Sequence, residues 1–118
     1  MYETLDRSEG RVIGFELHDE VTEADLNGIL GEIERTIATQ DRPVRVLLRF
    51  DDFPGVEFGA LDEELGFWLE HGDDIDRHAV VSGSRLIEGL VAVEDRLTEM
   101  EIRQFDPDEL AVAWAWLA

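Results

Sequence analysis

Between Val21 and Gln40 the apolar residues Leu26, Ile29, Leu30, Ile33 and Ile37 fall at i, i+3, i+4, i+7 and i+11. This is the single stripe of an amphipathic helix. Thr22 is placed to cap its N-terminus, and Glu23 and Asp25 put negative charge in the first turn, where the helix dipole favours it. Gly28 and Gly31 each cost up to about 1 kcal/mol of helix propensity, so their side of the helix is expected to press on a neighbour. Before this helix, Tyr2–Ser8 and Arg11–Leu17 read as extended segments separated by Glu9-Gly10. A glycine that accepts positive φ suits a tight antiparallel hairpin.

Pro43 then introduces VRVLLRF, a β-branched and leucine run bounded by turn residues that fits a strand buried in a parallel sheet. A second helix is predicted from about Phe58 to His71, with Leu61, Leu65, Trp68 and Leu69 as its apolar face and Gly72 as its C-cap. RHAVVSG reads as a strand, SRLIEGLVAVEDRL as a third helix, MEIRQF as a fifth strand and PDELAVAWAWLA as a last helix with Pro107 at its first turn. Trp116 is offset from the Leu110, Ala113, Trp114 and Leu117 stripe of that helix, which leaves it either half exposed at a homodimer contact or packed under the hairpin. The predicted order is ββαβαβαβα. Right-handed βαβ crossovers after a hairpin imply an α/β fold, a mixed five-stranded sheet in which only the N-terminal hairpin is antiparallel and the remaining strands are parallel, with four helices. Residues 1–118 are read as a single domain, without repeat or linker.

Charge changes this picture more than composition does. The chain carries 29 acidic residues against 10 basic ones, a formal net charge of −19, and every basic residue is an arginine. The acids are spread from Glu3 to Glu109 rather than gathered in a tail. Such a field repels phosphate backbones and anionic headgroups, which argues against nucleic acid as a partner and against membrane docking. A uniformly acidic surface fits a halophilic, salt-adapted protein better than one with a single basic partner, because molar salt shortens the Debye length to about 3 Å and screens self-repulsion. There is no cysteine, so thiol chemistry and thiolate metal sites are absent. The N-terminus lacks the basic and apolar regions of a signal peptide, no apolar stretch approaches a membrane span, and the expected location is cytoplasmic.

The segment after the buried strand, FDDFPGVEFGAL at residues 50–61, holds the candidate chemistry. Asp51 and Asp52 are neighbours on a strand end and point to opposite faces, so they do not converge on one ion, even with Asp62, Glu63 or Glu64 nearby; no metal or other cofactor is expected. A phosphoaspartate site would need a lysine, and the chain has none. The serines are Ser8, Ser82 and Ser84, the histidines His18, His71 and His78 are scattered, and no nucleophile elbow exists. His18, beside Asp19 and Glu20, reads as a solvated turn residue, and Ser84 as a helix cap rather than an anion site. The aromatic content is more informative: Phe50, Phe53, Phe58, Phe67 and Trp68 cluster where ligands of parallel sheets bind, outside the carboxyl ends of the strands. Phe53, Val56, Phe58 and Trp68 are candidates for lining an apolar pocket or lid.

The strand VRVLLRFDDFPG, the segment WLEHGDDIDRHAVVS and the ending EIRQFDPDELAVAWAWL, with Phe105, Glu109, Ala113, Trp116 and Leu117 in register, resemble the SpoIIAA-like family of the STAS superfamily. The resemblance is collinear over nearly the whole chain. It implies a five-stranded STAS-like sheet with four helices and no enzymatic activity. Anti-sigma-factor antagonists of the superfamily bind a partner kinase and are switched by phosphorylation of a serine at the start of the second helix; the SpoIIAA-like branch resembles small lipid carriers of CRAL-TRIO type. Here no serine or threonine occurs between Thr39 and Ser82, so a serine switch has no residue to act on. The reading that follows is a non-enzymatic domain that binds a small apolar ligand, lipid or fatty acid-like, through Phe53, Pro54, Gly55, Val56, Phe58, Leu61 and Trp68. The alternative is a regulatory protein–protein interaction module without a phosphorylatable serine, with a protein partner or a second copy as its target.

Overall fold

A computed structural model of the chain describes residues 2–5, 8, 10–18, 22–40, 43–51, 66–67, 69–71, 73–83, 89, 91–92, 96 and 100–118. Five strands, β1 (Tyr2–Thr4), β2 (Val12–His18), β3 (Val44–Asp51), β4 (Ile75–Val81) and β5 (Glu101–Phe105), form one sheet in sequential order. β1 and β2 pair antiparallel, with Tyr2 opposite Leu17 and Thr4 opposite Phe15, and every other pair is parallel. Gly10 turns the hairpin at φ 59°, the left-handed conformation that glycine adopts without strain.

Two helices are complete among the described residues, α1 (Glu23–Thr39) and α2 (Leu110–Leu117), where the sequence predicts four. Helical backbone also occurs at residues 66–67 and 69–70, and at 89, 91–92 and 96, within the two remaining predicted helices; most of those two segments lies outside the described residues. The α1 cap is as predicted: the Asp25 amide donates to Thr22 Oγ1 at 3.1 Å, and the Thr22 amide donates back to Asp25 Oδ2 at 3.2 Å. Pro107 opens a 3-10 turn (Pro107–Glu109) that runs into α2, and Glu109 Oε1 accepts from the Asp106 amide at 2.9 Å.

When successive parallel strands always step the same way, right-handed crossovers place their helices on one face of the sheet. The core follows that rule. Leu26, Ile29, Leu30 and Ile33 of α1 pack with Phe15, Leu17, Val44, Val46 and Leu48, and Phe67 and Met100 join the same cluster. The other face is left to α2, whose Ala113, Trp114 and Leu117 pack on Leu47, Ala79, Val81 and Phe105. β3 is buried on both faces at its centre, where Val46, Leu47 and Leu48 are apolar in succession, while Arg45 and Arg49 stand on either side of Leu47.

Three positions, Leu69, Gly31 and His18, depart from the sequence expectation, and Trp116 takes the partly exposed one of the two settings expected for it. Leu69 is 52% exposed, whereas Phe67 is 6% exposed. The helical turn at 66–71 therefore faces the core through positions 67 and 71, with the Phe67 and His71 rings 4.5 Å apart, and position 69 lies about 200° round the helix. Trp116 is partly buried against the Phe105 ring at 5.8 Å; the tryptophan under the hairpin is Trp114, against Gly14 and close to Leu5. Gly28 does meet a neighbour, the ring of Tyr2, but among the described residues Gly31 meets only Arg35 of its own helix. His18 is the last residue of β2, not a solvated turn.

Candidate functional site

Phe53, Pro54, Gly55, Val56, Phe58, Leu61 and Trp68 all lie outside the described residues. What is described is the frame on which that segment is mounted. β3 ends at Asp51, and the next described residue, 66, is helical. On the α1 face the last side chains of β2 and β3 are Leu17 and Phe50, direct neighbours in the parallel register. Leu17 is buried; Phe50 is only partly buried and packs against the same cluster as Phe67. The carboxyl end of the sheet thus presents apolar surface on its α1 side, because alternation along a strand sends Leu17 and Phe50 one way and their neighbours the other.

Those neighbours are polar. Glu16 and Arg49 are paired in register on the α2 face, and Arg49 Nη1 donates to Glu16 Oε1 at 2.9 Å. Glu3 of β1 is directly opposite Glu16, and His18 Nε2 lies 3.7 Å from Glu3 Oε2. The donor atoms of Glu3, Glu16 and His18 all lie within 4.8 Å of one another, so this corner is able to hold a cation. The sequence reading passed over it, although hairpin pairing through Gly10 brings Glu3 opposite Glu16 and same-face alternation adds His18.

At the opposite, amino ends of β3, β4 and β5, an open cleft of about 390 Å³ is lined by Arg45, Asp73, Ile75, Asp76, Arg77, Met100 and Glu101. Its arginines are engaged. Arg45 donates to the Leu117 and Ala118 carbonyls at 3.0 and 3.1 Å and pairs with Asp76 at 3.2 Å. Arg77 donates to the Trp116 carbonyl at 2.6 Å and lies over the Trp116 ring. The last turn of α2 has no basic residue of its own, so the sheet supplies the positive charge and the donors that its orphan carbonyls require.

The remaining histidines have structural settings. His71 is bracketed by two carboxylates, Nδ1 3.1 Å from Asp74 Oδ2 and Nε2 3.7 Å from Glu34 Oε1, joining the turn before β4 to α1. His78 is fully buried in β4, flanked in register by Val46 and Ile102, and burial pushes its pKa down from 6.5 to about 3, so it is neutral in the fold.

The SpoIIAA-like family model matches residues 12–118, from the start of β2 onward. The chain belongs to the SpoIIAA-like family. A solved structure from Shewanella loihica PV-4, an uncharacterised protein with a SpoIIAA-like fold, is similar in fold, with a TM-score of 0.78 at 22% identity, covering 99% of this chain and 94% of that one. A comparison with curated proteins finds no match. The matched residues leave out β1, so Glu3 belongs to a strand beyond the family match, whereas Glu16, His18, Arg49 and the segment after β3 lie within this SpoIIAA-like domain. No described helix is long and apolar enough to cross a membrane.

Proposed function

We propose that this SpoIIAA-like domain is a non-enzymatic binding module that takes a small apolar, lipid-like ligand at the segment following β3. Phe53, Val56, Phe58, Leu61 and Trp68 supply apolar contact, and Pro54-Gly55 forms the turn. The observation that carries this reading is the Leu17–Phe50 pair, which brings the apolar α1 face to the carboxyl edge of the sheet immediately before the aromatic segment. Ligands of parallel sheets bind at that edge. A net charge of −19 repels carboxylates, so an uncharged lipid is favoured over a fatty-acid anion.

Native mass spectrometry of gently purified protein tests the reading: a co-purifying lipid mass is expected, lost in Phe53→Ser and Phe58→Ser variants that keep their circular dichroism. A clean ligand-free mass together with no response to hydrophobic dyes overturns it. A second reading, a partner-binding module without a phosphoswitch, is favoured by Leu69, half exposed on the helical turn that follows the same segment. Recovery of one stoichiometric protein from lysate at high salt, abolished by Leu69→Ser, selects that reading instead.

A further inference from the structure

We propose that Glu3, Glu16 and His18 form a site for a divalent transition-metal ion at the β1–β2 corner of the sheet. The donors come from two hydrogen-bonded strands, so their Cα positions are held by the ladder rather than by a loop. Among the described residues this is the one set of three His, Asp or Glu donors that converges, in a chain rich in scattered acids. His71 shows the contrast: its two nitrogens face two different carboxylates, a bracket rather than a common point.

Two features point to a metal rather than to ordinary surface charge. Glu3 and Glu16 are directly opposite across an antiparallel pair, a juxtaposition of like charges that destabilises a sheet unless a cation offsets it. Arg49 offsets only part of it, holding Glu16 Oε1 from the β3 side and so fixing the carboxylate as an outer partner fixes a ligand. The second feature is spacing. His18 Nε2 and Glu3 Oε2 are 3.7 Å apart. That is long for a hydrogen bond, but close to the roughly 3.4 Å between donors around a tetrahedral ion with bonds of about 2.0–2.2 Å. The Glu3 side chain is 64% exposed and has room to close the difference.

One imidazole and two carboxylates suit Zn²⁺, Co²⁺ or Mn²⁺ better than Ca²⁺, which takes six or more oxygens. Three protein ligands leave at least one position for water or a small anionic ligand. The site is on the α2 face and uses none of the residues assigned to the apolar ligand, so it stands or falls independently of the lipid reading.

The test is titration of metal-free full-length protein with Co²⁺, followed by its visible spectrum, and with Zn²⁺ by calorimetry, both in molar KCl to suppress diffuse binding to the acidic surface. One equivalent should bind. His18→Ala, Glu16→Gln and Glu3→Gln should each weaken binding by at least the tenfold to roughly 100-fold that loss of an outer partner already costs, and His71→Ala should not. Glu3 is exposed, so its variant reports on binding without endangering the fold. Absence of saturable binding, or binding unaltered in His18→Ala and Glu3→Gln, overturns the proposal.

Discussion

Trp114 of α2 lies so close over Gly14 of β2 that a Cβ at position 14 would sit 2.5 Å from Trp114 Cη2. The tryptophan is 5% exposed, held in the α2-face cluster with Leu47 and Ala79, so it moves only by disturbing that cluster. Gly14→Ala should therefore destabilise the domain by about 1–3 kcal/mol, the usual cost of overpacking. Gly28→Ala presents a similar clash, with Tyr2 Oη at 2.5 Å, but here the neighbour is the outer end of a side chain on a three-residue edge strand. There the gain of up to about 1 kcal/mol in helix propensity offsets the clash, and a net change near zero is expected. Urea denaturation of the two variants checks the contrast.

Arg77→Met removes the 2.6 Å bond to the Trp116 carbonyl and the positive charge at the end of α2. A loss of about 1.5–3 kcal/mol is expected, the range for charged hydrogen bonds. Its ion pair with Glu101 is exposed, so Glu101→Gln should change stability by less than about 0.5 kcal/mol. Equal effects of the two changes in thermal denaturation would contradict this division.

His78 makes stability depend on pH with a definite sign. Its folded pKa of about 3 lies below the unfolded value of 6.5, so below pH 6.5 the unfolded chain binds a proton that the folded chain refuses. Stability is unaffected by this group above pH 6.5 and falls by up to about 1.4 kcal/mol per pH unit down to about pH 3. Between pH 7.5 and pH 5 the wild type should lose about 2 kcal/mol more than His78→Leu, because the carboxylate contributions cancel in the difference. Coincident pH profiles from urea denaturation would show that residue 78 does not titrate in this way.

The surface charge predicts a strong salt response. Raising KCl from 0.1 to 1 M shortens the Debye length from about 10 Å to about 3 Å, and screening within a chain of net charge −19 favours the compact state. The melting temperature should climb steadily with KCl. An unchanged melting temperature would remove the salt-adapted reading.

The strands and α1 are legible because their signals are local. The Leu26–Ile37 stripe, the Thr22 cap and the β-branched and leucine run from Val44 to Phe50, with Val46, Leu47 and Leu48 consecutive at its centre, each record in a few residues which faces are buried. Helix phase is less local: Leu69 and Phe67 are both apolar in sequence, and only packing into the α1-face cluster selects Phe67. The candidate apolar segment is legible as composition alone.

The sequence by itself therefore determines the order of elements, the parallel sheet with its one hairpin, the family, the net charge of −19 and the absence of serine and threonine between Thr39 and Ser82, since each depends on residue type and short-range period. Tertiary structure alone decides which residues from distant positions meet. It brings Arg45 and Arg77 to the end of α2, seats Trp114 on Gly14, buries His78 between Val46 and Ile102, and joins Glu3, Glu16, His18 and Arg49 at one corner. Parallel pairing has no local code, because strands joined by a crossover choose their register through packing across the whole sheet.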